Sequence, residues 1–321
     1  MSDSSFAYSS ARIRCLENKL LSGPIYEQMA DASSTDDCFR ILNDAGYAGI
    51  TERNYNSVLA DELKDTYALI KNLQPNEKFS DLFLVKNDFH NLKVLIKSEI
   101  SGRDGENYLS ENGNIPVEKM KEYVLNRDFS DMDPIMADAI KNALEIYGKT
   151  QNGQLIDIEL DKGAFELMKK YADESNSEFA REYIKRYADL TNLKSFYRIK
   201  KMGGSMEFFE EIFVAGGSLD SYKFKDGFAS DNPASVFKYT DYGKICETGM
   251  AGGFTLFEKL CDDFLTDFAQ KAKMDSLSEA PLIAYIHAKE TEIKCVRIIV
   301  SGKINNIPAE KIKERVRMAY V

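Results

Sequence analysis

Two histidines, five scattered cysteines and several adjacent acidic pairs are the residues through which this chain could carry out acid–base, nucleophilic or metal chemistry. A histidine-based triad or a zinc site needs its partners to converge at ligand spacing. His90 sits between Phe89 and Asn91 with no cysteine or second histidine in reach, so it reads as an ordinary surface residue, and His287 reads the same way. Cys15, Cys38, Cys246, Cys261 and Cys295 include no CxxC pair, and their odd count fits reduced thiols that serve mostly as small core residues. The acidic groups Glu210-Glu211, Asp262-Asp263 and Glu290 with Glu292 read as solvated faces, because neighbouring acids on a helix point apart. The glycine pairs Gly203-Gly204, Gly216-Gly217 and Gly252-Gly253 lack the lysine and the strand-to-helix setting of a GxxxxGK[ST] phosphate loop, and are expected at turns or helix stops. The sequence therefore predicts no catalytic residue, no metal ligands and no cofactor.

The elements that carry these residues are predicted to be helical throughout. Ile13, Leu16, Leu20 and Leu21 form one stripe behind Ser9 and Ser10, which are expected to cap it. Thr35-Asp36-Asp37 is expected to cap a short helix through Cys38, Ile41, Leu42 and Ala45 that stops at Gly46. Thr51-Glu52 is expected to open the next, which places Tyr55, Val58, Leu59, Leu63, Tyr67 and Ile70 on one face before Pro75. Residues 155–160 alternate as a strand would, but run directly into Phe165, Leu167, Met168 and Tyr171 at helical spacing, so helix is expected there too. The prediction is an all-α fold.

A net charge of −10 over 321 residues argues against a nucleic-acid partner, since phosphate neutralisation needs a basic face. The start MSDSSFAYSSARIR has Asp3 where an export signal would need a basic start and an apolar run, so a cytoplasmic protein is expected. No stretch approaches the roughly 18 consecutive apolar residues that cross a bilayer, which predicts no direct membrane insertion and membrane association only through partners.

The chain also repeats itself. Residues 88–97 read DFHNLKVLIK and residues 189–198 read DLTNLKSFYR, sharing DxxNLK, two apolar positions and a base, each followed by glycine at the same distance (Gly102, Gly203). In 292–303, EIKCVRIIVSGK keeps the base, Arg297, ahead of Gly302. NIPVEKMKEYV at 114–124 returns as NIPAEKIKERV at 306–316. Three helical units of about 100 residues follow, 1–112, 113–215 and 216–321. Phe89, Leu92, Ile96 and Ile100 make the inward stripe of the first copy, matched by Leu190, Leu193 and Tyr197. Asp88 and Asp189 are expected near helix starts and Lys97 and Arg198 near helix ends, each complementing the macrodipole. Because polar identities are copied as well as apolar spacing, Asn91, Lys93 and Lys97 with Asn192, Lys194 and Arg198 are candidates for a pseudo-symmetric surface that grips a partner.

YSSARIRCLENKLL, NDFHNLKVLIKSEISG, YADLTNLKSFYRIKKMG, GGFTLFEKLCDDFL and PLIAYIHAKETEIKCVRIIVSGK, with RMAYV at the end, together resemble the C subunit of V-type rotary ATPases, known as d in the eukaryotic vacuolar enzyme. The resemblance runs from the first helix to the last residues and is thinnest over 103–155 and 218–245. It implies a funnel of three pseudo-symmetric helical domains that is not catalytic. It further implies a central-stalk socket, receiving the rotor shaft of the catalytic headpiece and resting on the membrane ring that carries protons or sodium ions. In the stretch of the third unit that best resembles the family, Glu290 is expected to pair with Arg297 or Lys294, and Glu290 and Arg297 join the candidate partner surface. A helical-repeat scaffold unrelated to rotary ATPases is the alternative, but it predicts periods of about 34 to 47 residues, and none is visible.

Overall fold

The computed structural model describes residues 6–74 and 78–321, which form helices and connecting turns with no strand among them. Two compact units result, one from Met1–Pro75 with Ala229–Val321 and the other from Asn76–Phe228. Pro75 and the extreme amino terminus, including Asp3, lie outside the described residues.

The first unit contains α1 (Ala7–Glu17), α2 (Gly23–Asp31), α3 (Thr35–Asp44) and α4 (Tyr55–Leu73). The second contains α5 (Lys78–Ser101), α6 (Val117–Asn126), α7 (Pro134–Thr150), α8 (Gly153–Glu174), α9 (Glu178–Lys201), α10 (Met206–Ile212) and most of α11 (Ser221–Ala229). The chain then returns to the first unit with α12 (Gly243–Gly252), α13 (Phe254–Gln270), α14 (Ala280–Ile304) and α15 (Ala309–Lys313).

In the first unit α14 is the core. Apolar residues cover most of its circumference, leaving Lys294, Arg297 and Ser301 as a narrow exposed stripe in its second half, and a helix patterned that way is stable only when largely enclosed. It packs against α1, α2, α3, α4, α13 and α15, with Ile293, Cys295, Val296, Ile299 and Val300 among Leu21, Met29, Leu42, Ile50 and Leu59. In the second unit α8 holds the central place, packed against α5, α7 and α9. At Gly163 an added Cβ would come within 2.5 Å of the Ala139 methyl and 3.0 Å of the Phe89 ring, so the missing side chain permits the close approach of these helices.

Most predicted elements are present, with shifted ends. Ser9 and Ser10 lie inside α1, buried, where Ser9 donates to the Leu73 carbonyl at 2.5 Å; they do not cap it. Leu20 and Leu21 lie beyond its end yet are still buried. α3 is capped by Ser34, which accepts from the Asp37 N–H, and Gly46 follows it with φ +112°. α4 opens at Tyr55 rather than at Thr51, because Asn54 turns back to accept from the Thr51 N–H. Residues 155–160 are helical, within α8. Gly203, Gly216 and Gly253 hold left-handed φ at turns and helix ends. Four of the five cysteines are buried and Cys15 is exposed, all as free thiols.

Candidate functional site

The DxxN motif lies in mid-helix, in α5 and α9, so the macrodipole role expected of Asp88 and Asp189 does not hold: neither is near a helix start. Both are buried, and each accepts hydrogen bonds from a loop downstream of its helix, the one before α6 for Asp88 and the one between α10 and α11 for Asp189. Asp88 takes the N–H groups of Asn114 and Ile115 at 3.1 and 3.0 Å. Asp189 takes those of Ser218 and Leu219 at 2.9 and 2.8 Å, and the Ser218 hydroxyl at 2.6 Å. The asparagine one turn on makes a two-way bond with the same loop. Asn91 donates to the Ser110 carbonyl and accepts from the Ser110 N–H, both at 2.8 Å, and Asn192 does the same with Val214 at 2.8 and 3.0 Å.

A glycine makes room for each carboxylate. A Cβ at Gly113 would stand 2.3 Å from an Asp88 oxygen, and one at Gly217 would stand 2.1 Å from an Asp189 oxygen. The repeated polar identities are thus two copies of a clasp that satisfies loop backbone groups inside the protein, where leaving them unpaired would be costly.

Burial pushes the Asp88 carboxyl up from 3.8 to about 7, against the pull of the Ile115 and Asn114 N–H groups. A carboxyl whose pKa is raised by folding holds its proton more tightly in the folded state. The stability this contributes is complete below the unfolded value and is lost as pH rises through about 7. Wild type should therefore lose stability relative to Asp88→Asn across this window, measured by urea unfolding at a series of pH values. A difference that stays flat would rule the effect out.

The candidate bases occupy different ground. Lys93 bonds Asp161 at 2.5 Å and Lys97 bonds Asp157 at 2.7 Å, two rungs between antiparallel α5 and α8 at the solvent edge. Such pairs are worth at most about 1 kcal/mol each. Lys194 is half-buried and Arg198 exposed, and neither side chain is free. Glu290 accepts from the Tyr67 hydroxyl, while Lys294 pairs with Asp262 at 2.5 Å, so the expected Glu290–Lys294 pair is replaced by two others. Arg297 is exposed and makes no ion pair among the described residues. Asn91 and Asn192 face inward on their loops, whereas Lys97, Arg198 and Arg297 reach solvent.

The first unit corrects other expectations. His287 is buried, its Nε2 2.9 Å from the Thr266 hydroxyl, because the first half of α14 is enclosed on all sides. His90 is exposed as expected, and its ring contacts the Tyr108 carbonyl at 2.8 Å. Asp262 and Asp263 do not form a solvated face: they hold the carboxyl-terminal segment of the chain. Asp262 accepts from Arg317 Nε at 2.9 Å and Asp263 from the Met318 N–H at 2.7 Å, while Gln270 and Lys273 donate to the Tyr320 carbonyl. Glu292, also expected in solvent, is buried between the Lys289 ammonium at 2.9 Å, the Tyr47 hydroxyl at 2.6 Å and the Leu21 N–H. Among the described residues no cluster of three or more histidine, cysteine or carboxylate side chains could hold a metal ion, and no helix is long and apolar enough to cross a membrane.

The repeated clasps, the enclosed α14 and the tethered end are features of the whole chain, and comparison with known proteins finds similarity over the same extent. The family profile described as ATP synthase (C/AC39) subunit matches residues 9–315. The chain belongs to that family. Relatives include the V-type sodium ATPase C subunit of Enterococcus hirae, 26% identical over 96% of this chain and 97% of the relative. The A-type ATP synthase C subunit of Methanocaldococcus jannaschii is 27% identical over 96% and 85%. The V-type ATP synthase C subunit of Thermus thermophilus is 23% identical over 97% and 98%. The C/AC39 match takes in both clasps and α14, and ends just before the tethered residues Arg317, Met318 and Tyr320. The resemblance read from the sequence and the family assignment therefore agree.

Proposed function

We propose that this C/AC39 protein is a non-catalytic central-stalk component of a V-type ATPase or ATP synthase, a socket that passes torque between the shaft of the catalytic headpiece and the membrane ion-carrying ring. The observation that carries the reading is the end-to-end similarity to the C subunits of V- and A-type enzymes, over nearly the full length of both chains. In this reading the protein is peripheral, on the cytoplasmic side, and meets the membrane through its partners. Its three related units, 1–112, 113–215 and 216–321, form a funnel. The duplicated clasps of α5 and α9, and the copied helix starts of α6 and α15, support that division.

The physical fit is to rigidity. A torque adapter made of loosely tied loops would dissipate strain. Here the loops after α5 and α10 are bound by buried side chains, and the last residues are fastened to α13. Lys93, Lys97, Lys194, Arg198, Glu290 and Arg297 remain the candidate contact residues, with Lys97, Arg198 and Arg297 the most accessible of the basic ones. Tagged chain purified from a cell expressing its native operon partners should retain shaft and ring subunits, identified by mass. A monodisperse monomer that retains none would overturn the proposal. Lys97→Ala with Arg198→Ala should weaken that retention while leaving helix content unchanged; loss of fold instead would make the two bases internal struts only.

A further inference from the structure

A cleft of about 350 Å3 opens beside the last turns of α14, lined by Arg297, Ile298, Ser301, Ile307, Lys311 and Arg315. All of these residues belong to the first unit. The floor is firm, since Gly302 lets the Ile312 side chain lie directly against α14: a Cβ there would meet it at 2.7 Å. Arg297 and Ser301 are one turn apart on α14, and Lys311 and Arg315 stand one turn apart on the facing segment. Among the described residues, the carboxylate paired to a cleft base is that of Glu314, which holds Lys311 at 2.8 Å. The guanidiniums of Arg297 and Arg315 are exposed and engage no carboxylate among the described residues.

Lys97, at the position equivalent to Arg297 in the first repeat, is tied to Asp157. In the third copy the same position carries a planar, five-donor group matched to carboxylates and lining a cavity. The walls are also part apolar, with Ile298 half-buried and Ile307 37% exposed. Compact phosphate sites draw on converging N–H groups at a helix start, whereas this cleft is lined by the carboxyl-terminal turns of α14, whose partial negative charge opposes a concentrated dianion. A single carboxylate carries about half the charge of a phosphate dianion and meets proportionately less of that repulsion.

We infer that this cleft docks a carboxylate-bearing, part-apolar segment of a partner protein, with Arg297 and Arg315 gripping the acids and Ile298 and Ile307 receiving the apolar side chains. The inference rests on reading the chain as one component of a larger assembly, and it names one docking surface on it.

The test is fluorescence anisotropy on the full chain with a labelled synthetic helix bearing glutamates on one face and leucines on the other. Wild type should bind it, and Arg297→Ala with Arg315→Ala should weaken binding by at least about tenfold, the range expected for losing two charge-assisted contacts. Arg297→Lys with Arg315→Lys should retain part of it, and circular dichroism should be unchanged, since both residues are exposed. Equal binding by wild type and the alanine variant, or no binding by wild type, would overturn the inference. Displacement of the peptide by inorganic phosphate at matched ionic strength would overturn the carboxylate assignment in favour of a phosphoanion. Because the peptide assay needs no other protein of the assembly, its failure is distinct from a failed co-purification, which would remove the rotary-ATPase reading alone.

Discussion

Glu292→Ala should destabilise the first unit by about 3–5 kcal/mol, the cost of removing one member of a buried ion pair. Lys289 and Glu292 lie one turn apart on α14, both almost wholly buried, and Lys289 also reaches Glu62 at 2.6 Å. Burial alone would lower the Lys289 pKa, but the neighbouring carboxylates of Glu292 and Glu62 outweigh it and hold the ammonium charged. Without Glu292 that charge would be left to Glu62, and the Leu21 N–H and the Tyr47 hydroxyl would lose their acceptor. Glu292→Gln keeps an acceptor for both and should cost less. Lys289→Met with Glu292→Leu removes both charges and should recover much of the loss, as apolar replacements of buried ion pairs commonly do. Urea unfolding checks the series; a cost for Glu292→Ala below about 1 kcal/mol, the scale of a surface pair, would show that water reaches the site.

That network lies beyond what local sequence pattern can convey. The helices are legible because apolar spacing at i, i+3 and i+4 survives in any helix that packs on one face, as in α3 and α4. The same rule misreads α14. A helix enclosed over most of its surface must bury some of its polar residues, and nothing local distinguishes Glu292 or His287 from Lys294, Arg297 and Ser301 on its wetted stripe. Only the long apolar run from Ala280 to Ala288, interrupted by His287 alone, points inward. Asp262-Asp263 escapes the pattern for a different reason. Its partners, Arg317 and the Met318 N–H, belong to a segment far along the chain whose path no periodicity records.

The repeat is visible as letters but not as a mechanism. DxxN matches between α5 and α9, yet its other half, Gly113-Asn114-Ile115 and Gly217-Ser218-Leu219, is hidden because the second loop is longer and the two glycines fall out of register. A buried aspartate in mid-helix, an asparagine one turn later and a downstream glycine followed by a small polar and an aliphatic residue constitute the full signature. The exposed bases Lys97, Arg198 and Arg297 share a sequence position, and yet Lys97 is bound to Asp157 while Arg297 faces an open cleft. Inheritance of a residue type does not carry its environment with it.

The clasp makes a second large prediction, and its two copies should not respond equally. Asn192 and its Val214 partner atoms are buried, so Asn192→Ala strands an N–H and a carbonyl away from water, at about 1–3 kcal/mol each. The Ser110 groups bonded to Asn91 are only partly buried, so water can replace the lost amide and Asn91→Ala should cost less. Asp189 adds a sharper test through its glycine. Gly217→Ala places a methyl 2.1 Å from the Asp189 carboxylate, which is fixed by three hydrogen bonds and cannot swing away. Asp189→Ala removes both the clasp and the obstacle. In a double-mutant cycle Gly217→Ala should therefore be costly in wild type and nearly neutral in the Asp189→Ala background, a coupling of at least about 1 kcal/mol between contacting residues. Hydrogen exchange across residues 214–219 should accelerate in each clasp variant while α8 keeps its protection. Additive effects in the cycle would mean that the loop backbone yields independently of the carboxylate, and that the rigidity credited to the repeated motif lies elsewhere in the helical packing.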